Sequence, residues 1–203
     1  MAAEQQDASK LAEAFLPAEV ETTAEPTLVV LSGLPGTGKS YLSGILAQRL
    51  GAVIVESDRV RKTIASSPTY SAAESELVHR VCRIAARMLL QRGANVIYDA
   101  TNLIEFQREV IYHLADKAGA KLVIVQTVAP EEVVRERLER RKNLENPGDI
   151  SDADWRIYQA MRRGMGQGSR FGRNFMVVDT SGDSEEAVAR ILRVIRKSGA
   201  RKA

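Results

Sequence analysis

The sequence has 203 residues, of which 44% are hydrophobic and 5% aromatic, and this suits one globular domain with a substantial core. Its single cysteine, Cys82, excludes an internal disulfide and a cysteine-built zinc site, and no apolar run approaches the roughly 20 residues that span a bilayer. Because the N-terminus also lacks the pattern of a secretion signal, we expect a cytoplasmic protein without a membrane contact.

Charge is distributed unevenly along the chain. Residues 1–26 contain one lysine and six acidic residues, a net charge of −5, whereas the whole chain carries +3. Residues 27–203 therefore carry +8, which favours an anionic ligand such as a phosphate compound. The alternative is that the arginine-rich helices only keep the protein soluble. The acidic segment 1–26 is predicted to be a flexible tail before a single domain of residues 27–203.

Short apolar runs alternate with helical segments through the rest of the chain. The runs predict strands at residues 28–32, 53–55, 95–98, 122–125 and 175–178. The segments that follow them predict helices at residues 40–50, 72–92, 106–118, 131–141, 151–165 and 185–197, and a capping box from Ser151 to Asp154 opens the fifth of these. This order is typical of an α/β fold, a five-stranded parallel sheet with helices on both faces.

A glycine-rich turn directly follows the first predicted strand. Residues 33–40 read Gly-Leu-Pro-Gly-Thr-Gly-Lys-Ser and match the phosphate-binding pattern G-x-x-x-x-G-K-[ST] in full. Glycine lets the backbone turn its N–H groups toward an anion, and the next helix adds its positive end. A turn that only caps a helix is the alternative, and the flanking strand and helix favour nucleotide binding. The predicted nucleotide-binding residues are Gly33, Pro35, Gly36, Thr37, Gly38, Lys39, Ser40 and Tyr41.

Two acidic residues follow the next strands of the predicted sheet. Because the carboxyl ends of parallel strands face the ligand crevice, Asp58 is expected near the γ-phosphate, where it could deprotonate an attacking hydroxyl, with Arg61 one helical turn further along the same face. Asp99 ends the third strand and, with the Ser40 hydroxyl, is predicted to hold Mg²⁺. The alternatives are that Asp58 only caps a helix and that Asp99 only forms a turn.

The segment 131–148 is predicted to form a helical lid that carries several arginines. Lids of small P-loop kinases bring arginines onto the phosphates as charge develops, and Arg137, Arg140 and Arg141 are the candidates. An exposed helix with glutamate–arginine pairs is the alternative. A GTPase is excluded because the sequence contains no N-K-x-D element.

These motifs together resemble the P-loop kinases related to the kinase domain of phage-type polynucleotide 5′-hydroxyl kinase, a group that includes many bacterial AAA-type kinases. The similar segments are residues 33–40, 57–62, 99–103 with Arg108, and 132–141. The resemblance implies that Asp58 is a general base, that Arg61 contacts the acceptor or its adjoining phosphate, and that a lid arginine stabilises the transferred group. It also implies an adenine-side loop at residues 179–181, for which a turn and helix cap is the alternative. Ala100 separates Asp99 from the Thr-Asn pair, a departure from the phage-type pattern that weakens the magnesium role of Asp99.

The sequence therefore predicts a kinase that uses ATP and Mg²⁺ to phosphorylate a hydroxyl group, with a polynucleotide 5′ end as the first candidate acceptor. A small metabolite, sugar or antibiotic is the alternative acceptor. A nucleotide-binding regulatory ATPase without an acceptor is the alternative of a different class.

Overall fold

The computed structural model describes residues 2–101, 105–143, 153–164 and 174–199. In these residues the strands are β1 (Thr27–Ser32), β2 (Val53–Glu56), β3 (Val96–Asp99), β4 (Lys121–Val128) and β5 (Phe175–Asp179). The helices are α1 (Ala2–Glu13), α2 (Lys39–Leu50), α3 (Ser57–Ile64), α4 (Ala72–Gln91), α5 (Glu105–Lys117), α6 (Glu131–Asn143), α7 (Trp155–Gly164) and α8 (Ser184–Gly199).

The strands form one parallel sheet in the order β2-β3-β1-β4-β5, and this confirms the predicted fold class. β1 is the central strand, β3 pairs with it on one side and β2 lies beyond β3. These three strands lie side by side although helices separate them in sequence. Asp99 at the end of β3 is level with Leu31 of β1 and Glu56 of β2. The loops that leave these three strands therefore start from the same edge of the sheet.

Helices cover both faces because alternate residues of each buried strand point to opposite sides. Leu28 and Val30 of β1 pack into a cluster with α4 and α5, whereas Val29 and Leu31 pack into a cluster with α2 and α8. All six residues of β1 are buried. The central strand is thus fixed from both sides, and the turn that follows it starts from a rigid position.

The N-terminal segment differs from its prediction as a flexible tail. Helix α1 packs against the cluster around α4, with Ala8 and Ala12 fully buried. Beyond α1, Thr22 forms an isolated bridge with Ala94, and the N–H group of Thr23 donates to the carbonyl of Gly93 at 2.8 Å. The composition is acidic overall, but Leu11 and Phe15 also pack against this cluster, and the burial of apolar surface favours the docked position of the segment.

The start of α7 also differs from the sequence prediction. The predicted capping residue Ser151 lies outside the described residues, and the helix begins at Trp155. The N–H group of Ile157 donates to Asp154 Oδ1 at 2.9 Å. Asp154 therefore caps the helix, because a carboxylate in this position accepts from the third residue of the first turn.

Across the part of the chain that the structure describes, no helix is both long and apolar enough to cross a membrane.

The packing of α1 can be tested by charge insertion. We expect Ala12→Asp to lower the free energy of unfolding by about 2 kcal/mol, since a carboxylate would be buried without a partner. Ala14→Asp is the matched control because Ala14 is exposed, and its effect should stay within about 0.5 kcal/mol. Urea denaturation measures both values. Equal stability of the two variants would contradict the docked position of α1.

Candidate functional site

The glycine-rich turn joins β1 to α2 in a conformation that depends on its glycines. Gly33 has a φ of 145° and Gly38 a φ of 82°, both in a region that residues with a Cβ rarely adopt. A Cβ on Gly33 would lie 2.5 Å from Thr127 Oγ1 and 2.7 Å from the Thr127 carbonyl oxygen. The turn is also held from within, since Thr37 Oγ1 donates to the carbonyl of Leu34 at 2.7 Å.

Lys39 lies at the centre of a cluster of charged groups. Its ammonium donates to the carbonyl of Leu34 at 3.1 Å. The pKa of Lys39 lies below its usual value, because burial outweighs the charges of Asp99 and Asp58, which raise the pKa; the charge of Arg141 lowers it further. Three sequence-predicted residues on β3, α3 and α6 are therefore close enough to Lys39 for their charges to act on its amine. The order of strands β2, β3 and β1 produces this convergence.

Asp99 and Ser40 meet beside the turn. Asp99 is 4% exposed, and burial raises its pKa, while Lys39 and a hydrogen bond with the Ser40 side chain lower it. Its second oxygen, Oδ2, is buried and has no hydrogen-bond partner among the described residues. A hydroxyl and a carboxylate with one oxygen to spare fit Mg²⁺, which takes one or two protein oxygens and completes its shell with phosphates and water.

Asp58 is in the first turn of α3, directly after β2. Its side chain is half-buried, and within the described ranges no hydrogen bond to its carboxylate is found. The charge of Asp58 raises the pKa of Asp99 as well as that of Lys39. The carboxylate therefore lies on the side of the sheet edge where the glycine turn lies.

Arg61 follows Asp58 by one helical turn, but its guanidinium is already engaged. Arg61 is 7% exposed. One terminal nitrogen forms an ion pair with Glu74 of α4, and the other donates to Ser75 Oγ at 3.4 Å. The ring of Tyr70 lies 4.7 Å from the guanidinium carbon. In this arrangement Arg61 joins α3 to α4, whereas the sequence resemblance implies that it contacts an acceptor.

The three lid arginines occupy different surroundings. Arg137 donates from both terminal nitrogens to Thr180, at 3.0 Å to Oγ1 and 2.7 Å to the carbonyl oxygen. Arg140 is exposed. Arg141 donates to the carbonyl of Ala153 before α7 and acts on Lys39 by its charge. Residues 144–148 of the predicted lid lie outside the described residues.

A protein-family model matches more than half of the chain. The model described as an AAA domain, AAA_33, matches residues 28–167, which include the glycine turn, Asp58, Asp99 and the lid arginines. The chain belongs to this AAA domain family.

Curated relatives of this AAA domain protein are similar over part of their length. It is 26% identical over 149 residues to rat 6-phosphofructo-2-kinase/fructose-2,6-bisphosphatase 1, covering 65% of the chain and 31% of that protein. It is 27% identical over 183 residues to an uncharacterised protein of Mycobacterium tuberculosis, covering 84% of the chain and 35% of that protein. The chain thus spans about a third of the length of these relatives.

Solved structures share the fold of this AAA domain. The APS kinase CysC of Mycobacterium tuberculosis, in complex with AMPPNP and APS, superimposes with a TM-score of 0.61 at 18% identity, covering 86% of this chain and 99% of that chain. A gluconokinase of Sinorhizobium meliloti gives a TM-score of 0.59 at 19% identity, covering 85% and 93%. The identities are low, so these similarities establish the P-loop kinase fold.

The lid of the AAA domain packs directly on the glycine turn. Leu34 at the tip of the turn contacts a buried cluster with Val134 and Leu138 of α6 and Tyr158 of α7. Tyr158 stacks on Trp155, with ring centroids 4.9 Å apart. Tyr158 belongs to this cluster and Trp155 packs against it, so the pair helps to join α7 to α6. The tip of the turn and the lid therefore form one packed unit.

Sequence reasoning missed the threonines that brace the turn. Thr127 of β4 shares a 2.7 Å hydrogen bond between hydroxyls with Thr37, and Thr180 Oγ1 donates to the carbonyl of Thr37 at 2.8 Å. Thr180 belongs to the segment 179–181 that the resemblance implied to be an adenine-side loop. A single threonine at the end of a strand carries no sequence signal of its own, so only the assembled sheet reveals Thr127.

The close approach at Gly33 gives a test with a matched control. We expect Gly33→Ala to weaken ATP binding by at least about tenfold, roughly 1.4 kcal/mol, because its Cβ would collide with Thr127. Gly44→Ala, one turn into α2, has open space around its Cβ and should stabilise the protein by about 0.5 to 1 kcal/mol. Calorimetric titration and thermal unfolding measure the two effects. Unchanged ATP affinity in Gly33→Ala would contradict the turn geometry.

Proposed function

We propose that this AAA domain protein transfers the γ-phosphate of ATP to a hydroxyl group. The observation that carries the proposal is that Asp58 follows β2 and Asp99 ends the neighbouring strand β3, at the edge of the sheet where Lys39 begins α2, so that both charges act on Lys39. A basic group for the phosphates, a carboxylate for the metal and a second carboxylate meet at one edge of the sheet. A protein that only retained a nucleotide would need the first two, whereas phosphoryl transfer also uses the third.

The proposed reaction follows from the positions of these groups. The amides of the glycine turn and Lys39 hold the β- and γ-phosphates, and Ser40 and Asp99 hold Mg²⁺, which neutralises phosphate charge when it is bound. Asp58 takes the proton from the acceptor hydroxyl as its oxygen forms a bond to the γ-phosphorus. The bond to the oxygen that bridges the β- and γ-phosphates breaks, and its electron pair leaves with ADP.

We assign different tasks to the lid arginines. Arg141 acts on Lys39 by its charge, so it is the group proposed to stabilise negative charge on the transferring phosphate. Arg137 donates a hydrogen bond to Thr180, and Thr180 donates one to the glycine turn. We therefore propose that Arg137 positions the nucleotide side of the site. Arg140 is exposed, so it would contact the phosphates only after a movement of the lid.

A small hydroxyl compound is the acceptor we favour for this reaction. The related kinases include proteins named for small molecules, such as 6-phosphofructo-2-kinase and gluconokinase. A polynucleotide 5′ end, the first candidate from sequence, has no comparable support from the relatives. Transfer of labelled γ-phosphate onto a panel of sugars and metabolites, with a 5′-hydroxyl oligonucleotide alongside, separates the two acceptor classes.

Replacement of the proposed base tests the reaction itself. We expect Asp58→Asn to reduce phosphoryl transfer by about a hundredfold or more, the usual contribution of a general base, while ATP affinity stays within about twofold, because the P-loop is unchanged. Asp116→Asn, an exposed residue of α5, removes the same charge and should leave transfer at the wild-type rate. Full transfer by Asp58→Asn would contradict the role of Asp58 as the base, whereas ATP binding without transfer to any acceptor by the wild-type protein would favour the regulatory ATPase.

A further inference from the structure

Glu74 at the start of α4 is the centre of a hydrogen-bonded loop beside the proposed acceptor site. One of its oxygens accepts from the N–H group and the hydroxyl of Thr69, at 2.6 and 2.7 Å, and the other pairs with Arg61 and accepts from the N–H group of Tyr70 at 3.3 Å. Ser71 caps the same helix by accepting from the N–H group of Glu74 at 3.2 Å. The carboxylate is thus fixed in place by donors on several sides.

The charge of Glu74 is permanent at physiological pH. The hydrogen bonds from Thr69 and Arg61 lower the pKa of Glu74 to about 2. The side chains of Arg61 and Glu74 are only 9% and 12% exposed, so water screens the pair weakly. Arg61 is therefore neutralised by a carboxylate that stays ionised.

The guanidinium of Arg61 is enclosed, since the residue is 7% exposed. One terminal nitrogen pairs with Glu74, the other donates to Ser75 Oγ at 3.4 Å, and Nε is buried without a hydrogen-bond partner among the described residues. Tyr70 covers the group with its ring and adopts a φ of 53°, a conformation that is uncommon for a residue with a side chain. A phosphate could bind here only by displacing Glu74, which would leave a buried carboxylate without its partner.

We infer that the Arg61–Glu74 pair selects against phosphate-bearing acceptors, so that the hydroxyl presented to Asp58 belongs to a compound without a phosphate near α3. The inference rests on the proposed function, because the acceptor site is defined by the proposed role of Asp58 as the base. It narrows the acceptor to phosphate-free hydroxyl compounds such as unphosphorylated sugars and polyols. Glu74 is a positioning residue in this account, since it acts through Arg61.

The test measures anion binding and acceptor choice separately. Protein saturated with Mg²⁺ and AMPPNP, which blocks the glycine turn, is titrated with inorganic phosphate, with fructose and with fructose 6-phosphate. Transfer from labelled ATP to fructose and to fructose 6-phosphate is then compared. Because binding is measured without turnover, the phosphate titration gives a result for Glu74 even if the protein transfers phosphate to neither sugar, and the proposed function is then judged from the wider acceptor panel.

The wild-type protein is expected to show no preference for fructose 6-phosphate over fructose in binding or in transfer. Glu74→Gln removes the charge and keeps the shape, and it should bind inorganic phosphate at least about tenfold more tightly, the effect of one hydrogen bond to a charged group. Adding Arg61→Met to Glu74→Gln should abolish that gain. Glu76→Gln is the matched control, because Glu76 pairs with Arg83 on the same helix and is exposed.

Several results would overturn the inference. Preferential binding or phosphorylation of fructose 6-phosphate by the wild-type protein would do so, and this result needs no variant to fold. Failure of folded Glu74→Gln to gain phosphate binding would show that Glu74 does not exclude anions. An equal gain in Glu76→Gln would attribute the effect to net charge.

Discussion

The charge balance around Lys39 is the interaction on which the proposed chemistry depends. A buried ammonium is costly unless negative groups surround it, and here the carboxylates of Asp99 and Asp58 supply that charge. The charges of both carboxylates act on Lys39 because β2, β3 and β1 lie side by side in the sheet, with Asp99 level with the end of β2. The order of the strands therefore determines which charges act on Lys39.

Contacts from the other half of the sheet keep the glycine turn in position. Thr127 comes from β4 and Thr180 follows β5, and both hydrogen-bond to Thr37. Leu34 packs under the lid helices from the opposite side. Such bracing is useful in phosphoryl transfer, where rate comes mainly from positioning and electrostatic stabilisation. The lid arginines share this framework, since Arg137 is tied to Thr180.

The features predicted well from sequence were those with a strong local pattern. The glycine turn, the alternating strands and the long helices have fixed spacing or periodicity, and the observed sheet matches them. Asp58 and Asp99 could be placed at one edge because parallel strands end together. Their catalytic and metal-binding roles stay predictions.

The features that sequence could not provide depend on long-range packing. Ala8 and Ala12 are too small to produce a visible apolar stripe, so the docking of α1 was not foreseen. The pairing of Arg61 with Glu74 joins residues on separate helices, and an arginine one turn after an aspartate looks the same whether it is free or paired. Asp154 replaced Ser151 as the cap of α7, since either residue can accept from the first turn.

A crystal structure of the complex with Mg²⁺ and AMPPNP would test the central claim most directly. We predict that Lys39 leaves the carbonyl of Leu34 for the β- and γ-phosphates, that Ser40 and Asp99 lie at the metal, and that the carboxylate of Asp58 faces the γ-phosphate from the α3 side. A γ-phosphate that points away from Asp58, with that carboxylate separated from Lys39 by the sheet, would contradict the account.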